Sequence, residues 1–122
     1  MKNQTYRMTL LYDFYGETLT PRQKEFYDLY YNEDLSLGEI AENYGVTRQG
    51  VRDVIVRAEA ALTELEDKTR LIRRFHEMQA QFRDIGALAD RLQAINDRDY
   101  QDRELDDIVQ ELKSLCAKLS EE

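Results

Sequence analysis

Apolar positions recur at intervals of three and four along most of the chain, the period of amphipathic α-helices. Met8, Leu11, Tyr12 and Tyr15 predict a first helix from about Thr5 to Tyr15, with Gly16 placed where a helix often stops. Thr20-Pro21-Arg22-Gln23 predicts the start of a second. The Thr20 side chain can accept from the Gln23 amide, and Gln23 can reach back to the amide of Thr20. Pro21 takes the first helical position, where its missing N–H is not needed. Phe26, Leu29 and Tyr30 then supply an apolar face.

Ser36, with Glu39 three residues later, sets up another reciprocal cap, and Leu37, Ile40, Ala41 and Tyr44 form the buried side of a third helix. Gly45 supplies a turn. Thr47 caps a fourth helix, with Gly50 standing where the reciprocal cap would place Glu or Gln. Val51, Val54, Ile55, Ala58, Leu62 and Leu65 carry its period several turns beyond Arg57. Two helices crossing closely need a small residue at the contact, a glycine in the turn and aliphatic side chains on the buried side of the second helix. Ala41, Gly45, Val46, Val51 and Val54, with Leu37 and Ile40 beneath, meet these demands. The stretch Asp34 to Arg57 therefore reads as a helix-turn-helix, in which the first helix braces the second and the second points its early residues at base edges.

Further on, Leu71, Phe75, Met78, Phe82, Ile85, Ala89 and Leu92 alternate at intervals of four and three, a heptad-like seam. The polar run Asn96 to Asp102 is expected to break it. Leu105, Ile108, Leu112, Leu115 and Leu119 form a second seam. Two long amphipathic helices follow, able to fold back on each other or to pair with another chain. The chain thus divides into a helix-turn-helix domain over residues 1–70 and a C-terminal helical hairpin or dimerisation extension over 71–122. At 122 residues with a single proline, an all-α fold is expected.

Charge complicates the helix-turn-helix reading, because the formal net charge is -8. Its distribution resolves the conflict. Residues 1–35 hold 4 basic and 6 acidic side chains, 36–74 hold 7 and 7, and 75–122 hold 6 and 12. Within Thr47–Arg57 three arginines face one carboxylate, Asp53, a local surplus suited to phosphate. An acidic C-terminal part that projects away from a duplex does not prevent binding, although it lowers non-specific affinity.

The sequence offers little for catalysis, and we expect no enzyme, no cofactor, no metal and no catalytic residues. His76 is the only histidine and Cys116 the only cysteine, so no disulfide or ligand cluster follows. His76 stands among Arg73, Arg74 and Glu77 on a solvated face, and Cys116 beside Leu115 reads as packing. Acidic pairs such as Asp106-Asp107 read as solvated faces. Tyr27, Tyr30, Tyr31 and Tyr44 with Phe26 could stack on single-stranded RNA, but their helical spacing favours core packing. No apolar run approaches a membrane span and no signal peptide is evident, so a cytoplasmic protein without membrane contact is expected.

Leu35-Ser36-Leu37-Gly38-Glu39-Ile40-Ala41 followed by Gly45-Val46-Thr47-Arg48 resembles the last DNA-binding region, region 4, of housekeeping bacterial sigma factors. Leu19-Thr20-Pro21-Arg22-Gln23 resembles the lead-in to that region. The longer run from Arg7 through LYDFYGETLTPRQ and FYDLYYNEDLSLGEIAENYGVTRQGV to about Glu66 resembles the YlxM family. The family resemblance implies a sigma region 4-like helix-turn-helix domain and a regulatory role. Gene neighbourhood in that family further implies a link with the signal recognition particle (SRP) pathway. Carried over position by position, the sigma pattern places Arg48, Gln49, Gly50, Arg52 and Asp53 toward the groove. Arg48 and Arg52 suit phosphate or guanine and Gln49 suits adenine. Gly50 and Asp53 depart from a sigma reader, since glycine offers no contact and a carboxylate repels phosphate unless it is paired, for instance by Arg57.

The expected DNA-binding set is therefore Thr47, Arg48, Gln49, Arg52 and Arg57. The expected dimer interface is Phe75, Met78, Phe82, Ile85 and Leu92, since a helix-turn-helix commonly reads paired half-sites as a two-fold dimer. DNA is the expected partner, RNA a second candidate, with a homodimer and SRP components as protein partners. The rival expectation is an adaptor that binds no DNA and contacts the SRP machinery or RNA polymerase through its acidic C-terminal helices.

Overall fold

In a computed structural model, residues 5–120 are described. They form helices α1 (Thr5–Tyr15), α2 (Pro21–Tyr31), α3 (Leu37–Tyr44), α4 (Arg48–Thr69), α5 (Leu71–Ile95) and α6 (Arg103–Ser120). A 3-10 turn, Gly16–Thr18, follows α1, and a π-helical turn, Asn96–Tyr100, follows α5. Among the described residues there is no strand, and the fold is all-α. The chain divides into two compact units, Met1–Ile72 and Arg73–Glu122.

The N-terminal unit is built on α4. Val51, Ile55, Ala58 and Leu62 recur on one side of that helix and are fully buried against Leu11 of α1, Phe26 and Tyr27 of α2 and Ile40 of α3. Burying an aliphatic side chain of this size stabilises by about 1.5–3 kcal/mol. Tyr15, Tyr27, Tyr30 and Tyr31 belong to this core, and hydroxyls of this set are hydrogen-bonded within the fold. Tyr27 donates to the Met8 carbonyl at 2.6 Å, Tyr31 to Glu59 Oε1 at 2.6 Å and Tyr15 to Glu66 Oε1 at 2.6 Å. Tyr12 and Tyr27 stack with centroids 5.4 Å apart. Aromatic bodies inside with bonded tips give large apolar burial without an unpaired polar group. Glu66 Oε1 also accepts from the Ile72 amide at 2.9 Å, which ties down the end of α4 where Arg70 adopts a left-handed φ of 52°.

Both reciprocal caps form as the spacing predicts. Thr20 accepts from the Gln23 amide at 3.2 Å while Gln23 accepts from that of Thr20 at 3.1 Å. Ser36 and Glu39 repeat the arrangement at 3.1 Å each.

The C-terminal unit pairs α5 with α6 partly through expected seam residues such as Phe82, Ala89, Leu105 and Leu112, and partly through side chains that the periodicity did not single out. Gln79 donates to the Leu119 carbonyl at 3.1 Å, and Gln93 binds Asp106 and Gln110, both at 2.6 Å. A Cβ built on Gly86 would meet Cys116 Cβ at 3.9 Å. The side of α5 turned to α6 is thus Gln79, Phe82, Gly86, Ala89, Gln93 and Asn96, and that of α6 is Leu105, Val109, Leu112 and Cys116. Met78, Ile85 and Leu92, expected in the α5 seam, are exposed, as are Ile108, Leu115 and Leu119 of α6. The physical reason is that two apolar stripes lie side by side on each helix, and spacing alone does not say which one the partner helix covers. The polar run also differs from expectation. The helix continues through Tyr100 as a π turn, and the direction changes at Gln101, with φ 51°. Asn96, nearly inaccessible, donates to the Asp102 carbonyl and accepts from the Asp102 amide, both at 3.0 Å.

Candidate nucleic-acid interface

The turn between α3 and α4 is made by Gly45 at φ 64°, a conformation that costs other residues about 1–2 kcal/mol. The Val46 amide donates back to the Ala41 carbonyl at 3.1 Å and closes the end of α3. Ile40 and Val51 are both fully buried in the shared core, with Ala41 at 5% exposure, a small side chain that lets the two helices approach closely.

With Val51 and Ile55 buried, the opposite side of α4 faces solvent. Arg48, Gln49, Arg52, Asp53 and Arg57 are all exposed, but Arg57, nine residues after Arg48, lies half a turn round the helix from it. Thr47 Oγ1 accepts from the Gly50 amide at 2.9 Å and so caps the helix, while its own hydroxyl hydrogen stays free to donate outward. The helix dipole adds partial positive charge at this end. Four of the five residues expected to touch DNA therefore surround the first turns of α4, with Arg57 two turns further along.

Gly50, which offers no contact, has a local role. A Cβ at this position would lie 3.1 Å from Thr47 Oγ1, so a larger residue would press on the cap. Asp53 is engaged by a different residue from the one the spacing suggests. Gln49 Nε2 donates to Asp53 Oδ1 at 2.9 Å, so Gln49 rather than Arg57 quiets this carboxylate. The consequence reaches the expected base reader, because the Gln49 amide must leave Asp53 to pair with adenine. A Gln–Asp pair four residues apart on a helix is a signal the sequence does carry.

Gly38 was not among the expected site residues. A Cβ there would meet Arg48 Nε at 3.7 Å, which places the Arg48 side chain across the first turn of α3. Glu39 and Glu42 are exposed on that helix and bound the basic surface. Phe75 and Phe82, expected at a dimer interface, are half-buried, whereas Met78, Ile85 and Leu92 are open. Among the described residues no group of three or more His, Cys, Asp or Glu side chains could hold a metal ion, and no helix is long and apolar enough to cross a membrane.

A short bracing helix, a left-handed glycine turn and a second helix presenting its N-terminal residues define a helix-turn-helix protein. The family model described as "Putative helix-turn-helix protein, YlxM / p13 like" matches residues 2–112, and the chain belongs to this family, UPF0122. A UPF0122 protein of Bacillus thuringiensis is 41% identical over 115 residues, covering 94% of this chain and 99% of that relative. A UPF0122 protein of Desulforamulus reducens is 56% identical over 70 residues, which is 57% of this chain and 60% of that relative.

Proposed function

We propose that the chain is a regulatory DNA-binding protein that acts without catalysis, gripping the duplex with the first turns of α4. The observation that carries this reading is the exposure of Arg48 and Arg52 together on the first turns of α4, beside the Gly45 turn. In this reading Arg48 and Arg52 contact phosphate or guanine, Thr47 donates to phosphate, and Gln49 reads adenine after release from Asp53. The resemblance to YlxM proteins supports a part in the SRP pathway, which makes the particle's RNA the second nucleic acid to test.

Titration of the protein into labelled DNA from upstream of its own operon, and into the particle's RNA, at two salt concentrations tests this. Competitor-resistant DNA binding that weakens with salt is expected, with Arg48→Ala and Arg52→Ala each reducing the salt slope by about 1. Equal affinity in both variants and the wild type removes the site, and binding to RNA alone moves the function to the particle. The rival reading, an adaptor contacting SRP components or RNA polymerase, is favoured by the exposed aliphatic side chains and acidic excess of α5 and α6. Binding to neither nucleic acid would favour it.

A further inference from the structure

In α5, Met78, Ile85 and Leu92 each stand one residue before a position turned to α6, namely Gln79, Gly86 and Gln93. In α6, Ile108 and Leu115 stand one residue before Val109 and Cys116. In an antiparallel helix pair such positions fall on the same side of the pair. The other side carries charged and small residues, Lys113 Nζ lying 3.1 Å from Asp90 Oδ1, and no large exposed aliphatic side chain among the described residues. Leu88 and Ile95 widen the apolar stripe on α5, and Leu119 extends it on α6. These eight side chains are between 38% and 56% exposed. They present on the order of 700 Å² on one face, near the ~800 Å² per partner of a standard interface.

We propose that this face is the interface for a second copy of the chain, the two hairpins forming a four-helix bundle around a two-fold axis parallel to the helices. The proposal stands on the hairpin alone and is independent of what α4 binds. Because each helix contributes one stripe to the same face, a two-fold rotation lays α5 of one copy on α6 of the other, and the face is its own complement. Within one chain the contact combines Phe82, Val109 and Leu112 with Gln79, Gln93 and Asn96, polar residues of the kind that set register, while Met78, Ile85, Leu92, Ile108 and Leu115 remain for contact between chains.

Charge selects the second copy over a basic partner. Residues 75–122 are acidic as a whole, yet the rim of the face carries both signs. The bonds from Gln79 to Leu119 and from Gln93 to Gln110, with the Lys113–Asp90 pair, fix which residues of α5 and α6 lie level. By that register Asp84 is level with Lys118, and Arg91 with Glu111. All four are exposed and border the apolar stripe on its outer edge. Around the proposed axis Asp84 meets Lys118 of the partner subunit, and Arg91 meets Glu111 of the partner subunit.

Sedimentation velocity of the full chain, from sub-micromolar to tens of micromolar, tests the proposal. A dimer is expected. Ile85→Glu combined with Leu115→Glu should raise the dissociation constant at least about 100-fold, with helicity by circular dichroism unchanged because both positions are exposed. Arg91→Glu should weaken the dimer about 10-fold, and adding Glu111→Arg should restore it. If the apolar pair of variants loses helicity, the charge exchange decides alone. A wild-type chain that stays monomeric, a dimer untouched by the apolar pair, or a charge exchange that fails to restore association would each overturn the proposal.

Discussion

In the N-terminal unit, α4 turns Val51, Ile55, Ala58 and Leu62 inward and all four are fully buried. In the hairpin, α5 keeps Met78, Ile85, Leu88 and Leu92 in solvent and turns Gln79, Gln93 and Asn96 toward α6. One unit has several helices to surround its central one and closes its own core. The other has two helices only, which can cover one side of each other and no more. Helical hydrophobicity in the first case measures the core, and in the second it is divided between the seam of the two helices and an outward face.

Strong alkali should separate the two units most sharply. Burial, with the Glu59 charge as a lesser cause, raises the Tyr27 hydroxyl above the ordinary tyrosine value. Burial and the hydrogen bond to Glu59 do the same for Tyr31. A folded-state pKa above the unfolded value of about 10 stabilises fully below that pH and is lost as pH rises past it. The N-terminal unit should therefore unfold above about pH 10, followed by tyrosinate absorbance at 295 nm and amide exchange of α2 and α4, while α5 and α6 keep their helicity longer.

Ile55→Ala should cost about 2–5 kcal/mol by urea denaturation, with loss of amide protection concentrated in α1 to α4. Asn96→Ala leaves the Asp102 amide and carbonyl without their partners and should cost about 2 kcal/mol, read as lost protection in α6 alone. Met78→Gln should change the stability of a monomeric hairpin by no more than about 0.5 kcal/mol. A large loss there would mean that the exposed stripe is packed within the chain, and would erase the contrast.

The helix starts were legible because they rest on local chemistry. Thr20-Pro21-Arg22-Gln23 and Ser36 with Glu39 each form their cap from residues three apart, and no distant part of the fold can alter that spacing. The crossing of α3 and α4 was legible for a similar reason, since Gly45, Ala41 and Val51 answer a steric demand confined to one turn. The hairpin was harder, because Met78 and Gln79 are neighbours on adjoining faces and only tertiary contact decides between them. Asn96 misled by its polarity. It reads as a breaker in isolation, and it is buried because Asp102 supplies both of its partners. At the site, Arg48 and Arg52 follow from position in the motif, while Asp53 stands four residues from both Gln49 and Arg57, and only the structure shows that Gln49 is the one that holds it.

The clasp at Asn96 also bears on how the chain acquires its structure. It joins residues only six apart, so it can close within a small loop, before any distant contact exists. From there the Gln93, Asp90 and Gln79 contacts to α6 lie at steadily greater separation along the chain and can engage one after another. The C-terminal half is thus arranged to zip from its bend toward its ends. Loops of this size close in about 10–100 ns, so the hairpin should register on the earliest folding timescale, while Tyr15 and Glu66, 51 residues apart, join later.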